Sequence, residues 1–374
     1  VPHFSSAKIG NERQNCKRFR SCCIVSCDMR EVKFSILGCG KIGTRHAAKL
    51  KEVEGARLAA VCDCIPERAD ALAEAYGCRS HHSIDELLKD KEVDFVNVCT
   101  PSGLHPEHTI KALRAGKHVL CEKPMAFREA DALAMVAAAK ESGKMLFVVK
   151  QNRFNPPVKL VTRLLKEGKL GKPIECVVNM FWNRGEDYYR SDPWRGTLAL
   201  DGGTMYTQAS HFVDLMLAFM GKPKSLSAFM ARKKQKNIEI EDTGVVAVEF
   251  QNGALGSFNY TTCATHKNFE GSIMLIGTKG TVKIGGEYLN TVEYFQVEGV
   301  DSYELEPSDA GANDYGTYKG SMSNHDQVFR VIVAKMNNGG NEEGLVSGEA
   351  AVESVRFMEK AMESARDGKQ VHFS

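Results

Sequence analysis

Two side chains in this sequence are of the kinds that move protons, and each sits in a distinctive setting. Lys123 lies in Cys121-Glu122-Lys123-Pro124, directly behind an apolar run. His211 lies in Asp201-Gly202-Gly203-Thr204-Met205-Tyr206-Thr207-Gln208-Ala209-Ser210-His211-Phe212-Val213-Asp214. A charged lysine beside a substrate hydroxyl stabilises a developing alkoxide, and a desolvated one exchanges the proton itself. Histidine titrates near neutrality and serves as general acid or base. Asp214, three residues beyond His211, can share its helix face. Pro124 fixes the backbone just after Lys123. A third feature points to an electron carrier. Gly38-Cys39-Gly40-Lys41-Ile42-Gly43 follows a strand-like run and opens a helical one, the context that turns a weak glycine pattern into a dinucleotide site. Gly38 permits the tight turn, Gly40 lets backbone N–H groups approach a pyrophosphate, and Gly43 allows close helix–strand packing. The helix N-terminus adds free N–H groups and partial positive charge. Asp63, 25 residues after Gly38 and at the end of the second strand-like run, is placed to accept both ribose hydroxyls. It would also repel a 2′-phosphate, which favours NAD over NADP, a preference tempered by Arg68 nearby.

These residues need a scaffold, and the hydrophobic pattern supplies one. Val32–Leu37, Arg57–Cys62, Asp94–Cys99, His118–Cys121 and Met145–Val149 read as buried strands. Helical stretches alternate with them, one running to Leu50 and others over Pro66–Tyr76, Pro106–Ala115 and Phe127–Ser142. Such βαβα alternation predicts a parallel sheet with helices on both faces. Strand C-termini line the ligand crevice of such a sheet, so Lys123 would point at the nicotinamide end of the cofactor. After Gln151 the character changes. Pro157–Glu167 reads as a helix stopped by Gly171-Lys172-Pro173. Strand-like runs follow at Ile174–Trp182, Ser225–Ala231, Gly244–Phe250, Ala254–Thr262, Ser272–Ile276 and Thr281–Ile284, and Asn252-Gly253 predicts a type I′ hairpin. Glu306–Ser321, rich in Gly, Asp and Tyr, reads as a loop, and Ser347–Ser364 as an amphipathic helix. The expected organisation is an upstream extension over 1–28 and a doubly wound dinucleotide-binding domain over 29–150. An α/β domain with a large, mostly antiparallel open sheet would span 151–346, and a closing helix and tail 347–374.

Gly-loop, Asp63, Thr100-Pro101-Ser102-Gly103-Leu104-His105 and Glu122-Lys123-Pro124, in this order, resemble the Gfo/Idh/MocA oxidoreductase family over about residues 31–374. The resemblance implies a Rossmann domain followed by an α/β domain whose open sheet forms a dimer or tetramer interface. It implies Lys123 and His211 as catalytic residues. It also implies cofactor contacts from the glycine loop, including Cys39, Lys41 and Ile42, and from Asp63, Thr100, Pro101, Leu104, His105, Glu122, Lys123, Gln151 and Arg195. Many members carry an Asp four residues before the histidine; here that position is Thr207, which cannot act as a carboxylate relay. Within the family, Gln151-Asn152-Arg153-Phe154-Asn155-Pro156, Phe181-Trp182-Asn183-Arg184-Gly185, Trp194-Arg195-Gly196-Thr197 and the His211 segment resemble the subgroup that oxidises UDP-N-acetylglucosaminuronic acid at C3 for bacterial surface polysaccharides. That implies substrate contacts from Lys123, Arg153, Asn183, Arg184, Tyr206, Thr207, Gln208 and His211. Arg153 and Arg195 are candidates for the sugar carboxylate or the diphosphate, with cofactor contact or service to a neighbouring subunit as alternatives. Either Lys123 or His211 would take the C3 hydroxyl proton as hydride leaves for NAD. The alternatives to this activity are another sugar or inositol dehydrogenase, a cofactor recycled in place by a second substrate, and an NAD-sensing regulator without turnover.

Composition narrows the field. The 374 residues carry 49 Lys+Arg and 47 Asp+Glu, a formal charge of +2, which argues against nucleic acid as a partner. Apolar residues are 43% and charged residues 26%, an ordinary globular balance, and no apolar run is long enough to cross a membrane. Residues 1–28 hold Lys8, Arg13, Lys17, Arg18 and Arg20 against Glu12 and Asp28, so this stretch is net +3 and the remainder −1. It reads as an extension upstream of a natural start at Met29. Cys22, Cys23 and Cys27 lack the further ligands a metal site needs, and no metal is expected. Twelve cysteines, placed mostly in apolar strand-like runs, fit a reducing cytoplasmic compartment and not a disulfide scaffold.

Overall fold

The computed structural model describes residues 30–316, 318–340 and 342–373. The extension over 1–28, its cysteines and Met29 lie outside the described residues. The chain is α/β. Its first part alternates β1 (Val32–Leu37), α1 (Lys41–Leu50), β2 (Ala56–Cys62), α2 (Pro66–Tyr76), β3 (Arg79–His81), α3 (Ile84–Lys89), β4 (Phe95–Val98), α4 (His105–Arg114), β5 (His118–Cys121), α5 (Glu129–Ser142) and β6 (Leu146–Val148). Apart from the edge strand β3, the strands are mostly Val, Ile, Leu, Phe, Ala and Cys because both faces are covered. Helix ends follow local chemistry. Pro66 stands in the first turn of α2, and Gly77 and Gly143 take left-handed conformations at the ends of α2 and α5. The strands β3-β2-β1-β4-β5-β6 are parallel in that spatial order.

The second part holds α6 (Pro156–Lys166), β7 (Pro173–Phe181), α7 (Glu186–Arg190), α8 (Thr204–Thr207), α9 (Ser210–Met220), β8 (Pro223–Ala231), β9 (Thr243–Phe250), β10 (Leu255–Thr261), β11 (Glu270–Gly277), β12 (Gly280–Gly285) and β13 (Thr291–Val297). It continues through β14 (Ala312–Asp314), β15 (Lys319–Met322), α10 (His325–Asn338), β16 (Val346–Ser347), α11 (Gly348–Asp367) and β17 (Val371–His372). The second sheet has eight strands in the order β13-β12-β11-β7-β10-β9-β8-β17, antiparallel except where β10 runs parallel to β7. One face is packed by the apolar sides of α6, α9 and α11. Alternate residues point to the other face, where Phe229, Val245 and Leu255 are exposed.

The structure corrects three expectations. The stretch 151–346 does not all stay with the second sheet: α10 packs its Val328, Phe329, Ile332 and Val333 among β1, α1 and α2 side chains, and β16 pairs antiparallel with β6. Among the described residues the first sheet therefore has seven strands, and its β16 arrives after seven of the second sheet's eight strands. Helix α10 carries Val328, Phe329, Ile332, Val333 and Met336 at helical spacing on one face. The stretch 306–321 is not wholly a loop, since β14 and β15 pair within and just past it. The Asn252-Gly253 turn is not type I′. Asn252 keeps a negative φ; Gly253 alone has φ +86°, and Phe250 N–H donates to Ala254 O at 2.9 Å across three loop residues. A type I turn closed by a left-handed glycine is the commonest way to build that length.

Candidate active site

The strand order of the first sheet reverses direction between β1 and β4, and a cavity of about 670 Å³ opens at the C-terminal ends of these strands and runs on to the second sheet. Its first wall is built largely from backbone. Gly38 has φ +100°, and a Cβ there would stand 2.7 Å from Cys99 O. At Gly43 a Cβ would stand 2.0 Å from Gly38 O, so only glycine lets α1 begin this close to β1. Gly40 lines the cavity, and a Cβ there would meet no protein atom within 4 Å. The space beside Gly40 is thus left for a bound group, which is the fit a pyrophosphate requires. Asp63, at the end of β2, accepts Cys39 N–H at 2.8 Å on one oxygen and Ile65 N–H at 2.9 Å on the other. Those two bonds hold the carboxylate at the cavity edge.

Past β4 and β5 come the proton-moving groups. Lys123 follows β5 and donates from Nζ to Thr207 O at 2.7 Å. Protein encloses it deeply while the side chain still opens to the cavity, and burial lowers its pKa from the usual lysine value. Glu122 counters that fall; Arg184 and Arg195 reinforce it. Glu122 itself is buried. Burial works to raise its pKa, but the hydrogen bond from His46 at 2.8 Å and the charges of His46, His325 and Lys123 prevail and hold it at about 2. The Glu122 carboxylate also accepts Lys123 N–H at 3.1 Å. His211 lines the cavity from the first turn of α9, 2% exposed, with neither ring nitrogen hydrogen-bonded among the described residues. Burial first, then the charges of Lys123, Lys150 and His325, push its pKa far below the usual value, so its ring is neutral. Lys150 donates to Ser210 O at 3.0 Å, and burial lowers it to about 8. A neutral imidazole with free nitrogens and an adjacent lysine amine together can accept a hydroxyl proton and polarise the oxygen left behind.

The remaining wall is built from side chains of the second part. Arg184, 1% exposed, donates from Nε to Gln208 Oε1 at 2.8 Å and from Nη1 to Asn183 O at 2.6 Å. Its guanidinium lies 4.8 Å from the Tyr318 ring centroid, 5.0 Å from Trp182 and 5.4 Å from Tyr188. Among the described residues no carboxylate pairs with it, and burial lowers its pKa. Arg195 stacks 4.3 Å from Tyr188 and 4.7 Å from Trp194, and pairs with Asp192 at 3.1 Å. Gln208 Nε2 donates to Tyr188 OH at 2.8 Å.

Of the expected site residues, Gly38, Gly40, Lys41, Ile42, Asp63, Thr100, Pro101, Leu104, His105, Glu122, Lys123, Gln151, Arg184, Arg195, Thr207, Gln208 and His211 line this cavity. His105 is buried there and bridges Pro124 O and Thr100 O at 2.7 and 2.9 Å; burial lowers its pKa, so the neutral ring donates to one carbonyl only. Five others do not line it. Cys39 and Gly43 serve through packing and the Asp63 tether. Arg153 is clamped by Asp214 through two bonds of 2.8 and 2.9 Å, so it does not face the cavity as a free cation, and Asp214 turns its carboxylate to Arg153. Asn183 is spent on Ala264 O and, through its N–H, on Asn268. Tyr206 donates to Phe127 O at 2.8 Å and packs on that ring inside the core. The sequence reading missed Asn313, Tyr315, Tyr318, Ser321 and His325, which line the cavity from β14, β15 and the start of α10. A pair of tyrosines in a Gly/Asp-rich stretch was the only signal for them.

Comparison with known proteins agrees with this geometry. Residues 32–150 match the model of the oxidoreductase family with NAD-binding Rossmann fold, and residues 158–283 match the Gfo/Idh/MocA C-terminal domain. The WlbA dehydrogenase of Chromobacterium violaceum, solved with NADH and UDP-GlcNAcA, is 36% identical, with 92% of this chain and 96% of that chain covered and a TM-score of 0.82. The WlbA dehydrogenase of Bordetella pertussis, also solved with NADH and UDP-GlcNAcA, is 34% identical over 92% and 99%, again with a TM-score of 0.82. An inositol 2-dehydrogenase of Rhizobium meliloti is 30% identical over 67% of this chain and 74% of its own. With a glycine cradle, an Asp63 tether and a lysine–histidine pair in one cavity, the chain belongs to the Gfo/Idh/MocA family of NAD-binding sugar oxidoreductases.

Proposed function

We propose that the chain oxidises the C3 hydroxyl of UDP-N-acetylglucosaminuronic acid to the 3-keto sugar. The observation that carries this reading is Arg184: a buried guanidinium facing the cavity with no carboxylate partner among the described residues. A buried charge is costly unless paired, so the site is incomplete without an anionic substrate. The aromatic rings of Trp182, Tyr188 and Tyr318 around it suit the flat and apolar faces of a nucleotide sugar. The two WlbA neighbours, both solved with UDP-GlcNAcA, support the same choice.

The cofactor would be held by the Gly38–Gly43 loop, the Asp63 carboxylate and the strand-end residues Thr100, Pro101, Leu104 and Glu122. NAD, when bound, supplies the hydride acceptor. His211, neutral and with both nitrogens free, accepts the hydroxyl proton. Lys123, steered by Thr207 O, donates a hydrogen bond to the substrate oxygen and stabilises the charge that develops there. Arg184 and Arg195 take the sugar carboxylate and diphosphate, and the aromatic wall keeps water out. The exposed Phe229, Val245 and Leu255 on the second sheet would be covered in a homo-oligomer, a dimer or tetramer, working in the cytoplasm on surface-polysaccharide sugars.

Incubation with UDP-N-acetylglucosaminuronic acid and NAD, followed by mass spectrometry, tests the reading. A product lighter by two hydrogens with matching NADH is expected. The inositol dehydrogenase relative favours a second reading, an uncharged polyol substrate. Turnover of myo-inositol with none of the UDP-sugar would establish that reading and overturn the first.

A further inference from the structure

Asp201 begins the glycine-rich segment that leads into α8 and α9. Its side chain is 1% exposed and does not line the cavity. One carboxylate oxygen accepts Gly196 N–H at 2.7 Å; the other accepts the Thr207 hydroxyl at 2.8 Å. That hydroxyl also lies 3.2 Å from Gly203 O, but it has one proton, and the carboxylate is both closer and charged. The peptide carbonyl of the same Thr207 accepts Lys123 Nζ at 2.7 Å and is the one hydrogen-bond partner of that nitrogen among the described residues. A continuous run of contacts therefore joins a buried carboxylate to the lysine through one residue. Burial raises the pKa of Asp201, and the Gly196 and Thr207 hydrogen bonds with the charges of Arg195 and Lys123 oppose that rise in favour of the carboxylate.

We infer that Asp201 is a positioning residue for Lys123: through the Thr207 hydroxyl it locks the turn whose carbonyl aims the lysine nitrogen into the cavity, and it faces that nitrogen as a counter-charge from behind the turn. The inference rests on Lys123 acting at the substrate oxygen. Lys123 is faced by Glu122 from its own segment and by Arg184, Arg195 and Asp201 from the second part of the chain. Lys150, His105, His211 and His325 also feel its charge. Glu122 and Asp201 favour the ammonium; the two arginines oppose it. Removing Asp201's charge leaves the arginines with less opposition, so the ammonium gives up its proton at lower pH.

The test compares Asp201→Asn, Thr207→Val and Thr207→Ser in the full chain. Asp201→Asn is expected to lower kcat about tenfold or more, as for loss of a hydrogen bond to a charged group, while KM for the sugar stays unchanged. The alkaline limb of its kcat profile should move to lower pH. So should the midpoint for amine-reagent labelling of Lys123, read by peptide mass mapping. Thr207→Val should lower kcat with a smaller midpoint shift, because the charge remains, and Thr207→Ser should recover most of that loss. Asp201→Asn protein that binds NAD normally, with wild-type kcat and labelling midpoint, overturns the inference. Labelling needs no sugar. If the wild-type chain oxidised no UDP-sugar while the Asp201→Asn midpoint still fell, the proposed substrate would be lost and the positioning role of Asp201 supported.

Discussion

The two walls of the cavity are made differently. The cofactor wall is mostly main chain: glycines at set offsets, strand ends and a helix start, with Asp63 pinned by two N–H groups of its own neighbourhood. The opposite wall is side chain against side chain, with Arg184, Gln208, Tyr188 and Tyr318 drawn from three separate stretches and held by one another. The first wall receives a dinucleotide mainly through backbone shape, with the Asp63 carboxylate at its edge. The second centres on an arginine that, among the described residues, has no carboxylate counter-ion. The same contrast separates two arginines expected on the substrate: Arg153 is saturated by Asp214, while Arg184 is not.

The contrast can be broken at several points. The largest effects belong where the walls meet. Lys123→Met and His211→Asn should each lower kcat by about 100- to 10,000-fold while NAD titration by fluorescence stays near wild type. Near wild-type turnover in either would remove the pair from the mechanism. Arg184→Leu should raise KM for the UDP-sugar by about 10- to 100-fold without weakening NAD. Its counterpart Arg153→Met should leave KM alone and cost about 3 kcal/mol of stability in denaturant melts, since it strands a buried Asp214; the reverse pattern would exchange their roles. On the cofactor wall, Gly40→Ala should change stability by less than about 0.5 kcal/mol, because its Cβ meets no protein. It should nevertheless weaken NAD about tenfold, the loss of one phosphate hydrogen bond. Gly43→Ala, whose Cβ would collide with Gly38 O, should destabilise the apo chain by about 1–3 kcal/mol. The smallest signature is in pH. His211 is held far below its usual pKa, so kcat should show no loss as pH falls through 6.5. The Lys123 pKa is lowered, so as pH rises its charged form, and with it kcat, should decline below 10.5. An acid limb near 6.5 would contradict the neutral imidazole.

The cofactor wall was legible in the sequence because its work is done by backbone at fixed spacing. Gly38, Gly40 and Gly43 stand where the glycine pattern places them, and Lys123 follows a strand whose period needs no tertiary information. The sugar wall was half legible. Arg184, Thr207, Gln208 and His211 line the cavity, yet Arg153, Asn183 and Tyr206, equally plausible by type, are consumed by Asp214, Ala264 and Phe127. Which polar group is spent on a neighbour depends on contacts between distant segments, such as β7 with the turn at Ala264, and no local period records those. Tyr315, Tyr318 and His325 were missed for a related reason. They sit on a short hairpin and a charged helix whose places are set by packing on α1 and on Arg184, far away in sequence.

The pairing of β16 with β6 has a consequence for how this chain is made. A ribosome releases β1 to β6 and the glycine loop early, but the strand that covers the β6 edge emerges only after seven of the eight strands of the second sheet. The nascent dinucleotide domain must wait with one edge uncovered, open to pairing with other chains. A chain cut before Val346 would keep every glycine-loop residue yet leave that edge bare, and should aggregate or be degraded where the full chain does not.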